Sequence, residues 1–245
     1  MNALTVTYAL LFYAAAAAFG FGLAYRIWLY AKTPAPFKIP TPPAPLTKPG
    51  VAFRLGREVV LFESLFKASK PTWLFAILFH AALVLVLLRH LRYFQEPVWE
   101  WVKLIQPFGL YAGFVMVVGL AGLWARRFLV ERVRYISSPS DHLMLALLAG
   151  IALTGLGLKY GDRTDVVALK AFALGLLRFD WQPLPAEPFL LVHLALVALL
   201  MIVFPFSKLL HAPGVFFSPT RNQVDDARSR RHLAHWAAAF DQNRP

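Results

Sequence analysis

The run Trp73–Tyr93, WLFAILFHAALVLVLLRHLRY, constrains this chain more than any other stretch. A helix needs about 20 apolar residues to cross the hydrocarbon core of a bilayer, and this run supplies them. Two histidines, His80 and His90, lie inside it. A second run, Phe189–His211, carries two more, His193 and His211. Ionisable side chains are expensive in hydrocarbon and usually mark function there. Four of them on two spans point to two bound cofactors.

Five segments reach spanning length: Val6–Tyr30, Trp73–Phe94, Leu104–Phe128, Asp141–Tyr160 and Phe189–His211. The fold class expected is all-α, a five-transmembrane-helix bundle with a surface amphipathic helix. Composition agrees, because 16% of residues are charged where a soluble domain carries about 25%. The net charge of +12 sits in loops beside apolar runs. It therefore reports orientation rather than a nucleic-acid partner. With no cysteine in the chain, disulfides, thiolate-held iron–sulfur clusters and covalently attached haem are excluded. The start lacks the basic n-region of a secretory signal, so the first apolar run is expected to be a retained helix.

In chain order, span one falls within 1–30 and its small residues Ala14–Ala18, Gly20 and Gly22 serve packing. A cytoplasmic loop follows over 31–70. Its first part holds seven prolines between residues 31 and 50 and is read as a stiff linker or a docking surface for a soluble partner. Leu55, Val59, Phe62 and Phe66 then follow helical spacing and predict one amphipathic helix on the membrane surface. Span two lies within 71–94, span three within 104–128 and span four within 141–160, with Ser140 as its expected N-cap. Gly150, Gly155 and Gly157 are read as packing residues, or as room for a bulky planar ligand. Residues 161–187 form an outer loop with an interfacial helix over 164–179. Span five, 188–211, contains Pro205, which should kink it. The tail 212–245 is polar and basic, with Arg228, Arg230 and Arg231, and is read as a water-exposed cytoplasmic segment open to a partner.

Eighteen of the 25 lysines and arginines fall on one side of this arrangement. The positive-inside rule puts the N-terminus outside and the C-terminus in the cytoplasm. Antiparallel spans two and five then pair His90 with His193 at the outer end and His80 with His211 at the inner end. The outer pair lies at matching depths, each about 6 Å inside its span end. The inner pair matches less well, since His80 and His90 are about 15 Å apart along their helix and His193 and His211 about 27 Å. His142, at the inner end of span four, is an alternative partner for His80. Two facing imidazoles fall short of a zinc site, whereas haem iron needs only axial ligands. Arg89, Arg92, Arg126, Arg127 and Lys208 lie near the expected haem edges and are read as propionate partners or interface anchors. Lys103 is read as a quinone hydrogen-bond donor or an interfacial lysine. His232 and His235 are read as surface residues. The different-class rival is a membrane transporter with a histidine proton relay.

The histidine spacings, ten residues from His80 to His90 and eighteen from His193 to His211, resemble the NarI-type cytochrome b family, the gamma subunits of respiratory nitrate reductase. RYISSPSDHLML before span four is similar too. Within that family, FESLFKASKPTWLFAILFH, LRHLRYF and the long proline-rich first loop are most similar to the DsrM type, from the DsrMKJOP complex of dissimilatory sulfur metabolism. The resemblance implies two b haems, ligated by His80 with His211 (inner) and by His90 with His193 (outer). It implies a quinone site near the outer haem and a DsrK-like cytoplasmic iron–sulfur subunit near the inner one. The implied function is an inner-membrane electron carrier between a quinone pool and that partner. A nitrate reductase gamma subunit is the alternative.

Overall fold

The computed structural model describes residues 2–161 and 163–227, and all its regular structure there is helical. His232, His235 and the tail arginines Arg228, Arg230 and Arg231 lie outside the described residues. Among the described residues, five helices are long and apolar enough to cross a membrane: α1 (Ala3–Lys32), α4 (Lys70–His90, extended by a 3-10 turn to Tyr93), α5 (Glu100–Leu129), α7 (Pro139–Tyr160) and α9 (Pro188–Val203, extended by a 3-10 turn to Phe206). Each is apolar around its whole circumference, and Leu10, Val84, Leu104, Leu143 and Leu153 are exposed. Lipid rather than a protein core covers such faces, so length alone signals the span.

The described residues form two compact units, one made of residues up to Phe19 with those of Leu65–Val203, the other of Gly20–Ser64 with those from Phe204 on. In the first, α4 packs along α5, α5 against α7, and α7 against α9. Glycines permit the close approach. A Cβ on Gly119 would lie 2.7 Å from the Phe79 backbone nitrogen. Phe79, Ala82, Ala112, Met116, Leu120 and Ala152 form the core there. The first half of α1 is tied to residues 176–191 by hydroxyls. Tyr8 donates to the Leu191 carbonyl and Tyr13 to that of Leu176, each at 2.9 Å, while Thr5 Oγ1 accepts from Leu184 N at 3.0 Å. The helix α8 (Val166–Arg178) is capped by Asp165, whose carboxylate accepts from Val167 N and Ala168 N.

Three local expectations change. The single helix expected after the proline-rich segment is two, α2 (Lys48–Leu61) and α3 (Glu63–Ala68). Phe62 between them is left-handed, with φ 50°. Glu58 explains the break, because its carboxylate accepts both the backbone N–H (3.2 Å) and the hydroxyl of Ser64. The N-cap of α7 is Ser138 rather than Ser140. Pro139 suits the first helical position, and the Asp141 carboxylate reaches back to accept Ser138 N–H at 2.9 Å, the reciprocal half of a capping box. The last span does not continue as a kinked helix to His211. It leaves α geometry after Val203 and passes through two 3-10 turns, Phe204–Phe206 and Lys208–Leu210, before a short helix (His211–Phe217). Proline removes one hydrogen bond, and Ser207 then caps the second turn by accepting from Leu209 N at 3.2 Å.

In the second unit, Pro205 is held from α1. Gly22 leaves room for its ring, since a Cβ there would stand 2.8 Å from Pro205 Cβ. Arg26 Nε donates to the Pro205 carbonyl at 3.1 Å. The proline-rich segment is stitched to the chain's own segment 218–226. Thr41 N donates to the Thr220 carbonyl and Asp225 N to that of Pro45, each at 2.9 Å. Lys38 pairs with Asp226 at 3.2 Å, and Arg221 with Glu58 at 2.6 Å.

Candidate functional site

His90, on the last turn of α4, and the buried His193 of α9 come together in the first unit. Their ring centroids are 6.4 Å apart and their planes 17° from parallel. His90 Nδ1 lies 2.6 Å from the Val86 carbonyl. A carbonyl only accepts, so this nitrogen carries the proton and Nε2 keeps the lone pair. His193 Nδ1 lies 3.0 Å from the Thr154 hydroxyl of α7. That hydroxyl has one proton, which is directed at the carbonyls of Gly150 (2.7 Å) and Ile151 (3.1 Å). Its oxygen therefore accepts from His193 Nδ1–H, and again Nε2 keeps the lone pair.

The same reasoning applies to His80, whose Nδ1 is 2.8 Å from the Ala76 carbonyl, and to His211, 2.9 Å from that of Lys208. His80 belongs to the first unit and His211 to the second. His142 is wired in the opposite sense. Its Nδ1 accepts from Trp124 Nε1–H at 3.0 Å, which leaves the proton of the neutral ring on Nε2. In that state His142 has no lone pair to offer a metal.

The His90–His193 spacing can be tested against an axial pair. A metal–imidazole bond is about 2.0–2.1 Å long, and a five-membered ring of bonds near 1.33 Å puts each nitrogen about 1.1 Å from its centroid. Two imidazoles that held one metal between them through Nε2 would have their centroids about 6.3 Å apart. The observed centroid separation, 6.4 Å, is of that length. Ligating histidines also give their other N–H to an oxygen, as both do here. Among the described residues no three His, Asp or Glu side chains gather around one point. The donor set suits haem iron, whose porphyrin fills the remaining positions.

The charged residues sort differently. Arg89 turns to α5, where its stem runs over Gly109; a Cβ on that glycine would meet Arg89 Cδ at 2.7 Å. Arg89 Nε (3.3 Å) and Arg92 Nη1 (3.2 Å) converge on the Gln106 side-chain oxygen. Neither arginine has an acidic partner among the described residues. Arg127 bonds Ser137 Oγ at 3.0 Å and approaches Asp141 at 3.4 Å, so it braces the start of α7. Arg126 is partly buried on α5, and Lys208 opens the second 3-10 turn. Lys103 is ion-paired with Glu100 at 2.6 Å on an exposed turn. The glycines of α7 pack on α9: Gly150 faces Leu196, Gly157 faces Phe189, and a Cβ on Gly155 would stand 3.3 Å from His193 Cε1. Thr154 and Gln106 carry no motif. Their only sequence signal is a polar side chain inside an apolar span.

Residues 64–225 match the family model described as nitrate reductase gamma subunit. The chain is 36% identical, over an alignment 272 positions long, to the Hdr-like menaquinol oxidoreductase cytochrome b-like subunit of Archaeoglobus fulgidus, covering 93% of this chain and 82% of that one. It is 35% identical to the Archaeoglobus profundus protein of the same name, covering 96% and 83%. It is 26% identical to the respiratory nitrate reductase 2 gamma chain of Escherichia coli, covering 63% and 76%. With its five apolar helices this is an integral membrane protein, and it belongs to the nitrate reductase gamma subunit family.

Proposed function

We propose that the chain is a b-type cytochrome subunit that passes electrons between a quinol pool and a cytoplasmic redox partner. The observation that carries this reading is the His90–His193 pair, at the separation an axial pair requires, with both Nε2 lone pairs preserved. The proposal includes two haems b, the outer held by His90 and His193 and the inner by His80 and His211. Bound haem supplies one-electron transfer. The protein's own work is to orient the imidazoles through the Val86 and Ala76 carbonyls and the Thr154 hydroxyl. It also supplies charge: Arg89, Arg92, Arg126 and Lys208 are the proposed propionate partners. Lys103 serves a quinone only after leaving Glu100, since a paired ammonium has fewer donors to give.

The archaeal relatives are named for a menaquinol oxidoreductase, which supports quinol as the electron source. The DsrM-type sequence features support a DsrK-like iron–sulfur partner within a DsrMKJOP-like complex. Orientation follows the lysine and arginine asymmetry, with the N-terminus periplasmic and the proline-rich loop and tail cytoplasmic. The family model supports a nitrate reductase gamma subunit as the second reading. The higher identity and coverage of the archaeal relatives favour the first.

The test is a reduced-minus-oxidised spectrum of the purified chain with haem extracted and counted. About two b haems per chain support the reading. One haem retains the outer pair and refutes the inner assignment. A folded, colourless preparation refutes the cytochrome and favours the transporter.

A further inference from the structure

We infer that Thr154 is a positioning residue that fixes the tautomer of His193 and sets the potential of the outer haem; this rests on the cytochrome reading above. His193 and His90 are not held alike. His90 gives its Nδ1 proton to a carbonyl of its own helix, four residues back. His193 gives its proton across to another helix, to the Thr154 hydroxyl at 3.0 Å with the Ile151 carbonyl beside it. Thr154 is suited to that role in a way valine is not. Its own proton is committed to the Gly150 and Ile151 carbonyls. Donating into those carbonyls makes its oxygen a better acceptor and forces the lone pair toward His193. The hydroxyl so oriented rejects the alternative tautomer, in which Nδ1 lacks a proton and Nε2 has no lone pair for iron.

Gly155, the next residue, completes the setting. The edge of the His193 ring passes so close to it that a Cβ would stand 3.3 Å from Cε1 and 3.7 Å from Nδ1. The ring is confined on that edge, and the threonine bond fixes its rotation about the confined position. A hydrogen bond from Nδ1–H to an oxygen strengthens the imidazole as a donor. A stronger donor favours ferric over ferrous iron. Thr154 thus holds the outer potential below the value the same two histidines would give without it.

The experiment is a potentiometric titration and low-spin EPR of Thr154→Val and Thr154→Ser beside the wild-type membrane protein. Valine keeps the shape and removes the hydroxyl, whereas serine keeps the hydroxyl. The expected result is two haems in Thr154→Val, with the potential of one raised and its EPR signal shifted, the other unchanged, and Thr154→Ser close to wild type. Loss of one haem in the valine variant, retained in the serine variant, also supports the role. Wild-type potentials and spectra in Thr154→Val overturn it, as does equal damage in both variants, which would assign the site to packing. A wild-type preparation without haem refutes the cytochrome reading itself, a result distinct from two normal haems in Thr154→Val.

Discussion

Gly119→Ala is the sharpest test of how α4 is seated. The added Cβ would lie 2.7 Å from Phe79 N and 2.9 Å from Phe79 Cα, where ordinary van der Waals contact begins at 3.4 Å. The obstructing atoms are backbone, so no side-chain rotation relieves the clash and α4 must retreat by about 0.7 Å. Overpacking of this kind costs about 1–3 kcal/mol. Alanine's better helix propensity returns up to about 1 kcal/mol. The expected net loss of about 1–2 kcal/mol lowers the melting temperature by about 2–8 °C. Phe79 precedes His80, so the retreat also moves a proposed ligand, and haem content should fall with stability. Melting in detergent and the haem-to-protein ratio read both effects. Gly20→Ala is the control, because nothing lies within 4 Å of the Cβ it would add; it should melt at or above the wild-type temperature. A Gly119→Ala protein that melts with the Gly20→Ala control and keeps its haem refutes the close α4–α5 seating.

His90→Ala and His193→Ala should each remove the same haem, leaving about half the pyridine-extractable total, whereas His142→Gln should keep both, because Trp124 already occupies its Nδ1; haem loss in His142→Gln would overturn the tautomer argument. Arg26→Ala leaves the carbonyl of the buried Pro205 without its donor, a loss of about 1–3 kcal/mol that melting in detergent will show, and unchanged melting would mean the 3-10 break needs no support. Arg221→Ala breaks the ion pair to Glu58, whose side chain is 11% exposed against 31% for Arg221. Partial exposure limits that loss to about 1 kcal/mol, and it should appear as faster proteolysis within residues 33–47. Cleavage at the wild-type rate would show that the stitched segment does not depend on this pair.

The spans were legible because lipid asks so little of a helix. An apolar run of sufficient length is enough, and no partner face has to be inferred. What ends or breaks those helices depends on single side-chain bonds that hydropathy does not register. Glu58 reaching Ser64 splits the amphipathic segment at Phe62, and Asp141 reaching back to Ser138 moves the start of α7. Pro205 announced a disturbance in the last span, yet its form depends on Ser207 capping a second turn. The candidate site divides the same way. Spacing could nominate His80, His90, His193 and His211, but it could not separate them from His142, which also sits at the end of an apolar run. The separation lies in the proton on each ring. A backbone carbonyl four residues back is available to any helical histidine, and His80 and His90 both use it. An indole N–H such as that of Trp124 can only donate, so it imposes the tautomer that cannot ligate. His193 lies between these cases: a hydroxyl can act either way, and its direction is decided by the Gly150 and Ile151 carbonyls behind it. The setting of this ligand is therefore a property of three helix-borne groups together, and a valine at 154 would leave every spacing in the sequence intact while removing the hydroxyl that holds the ring's proton.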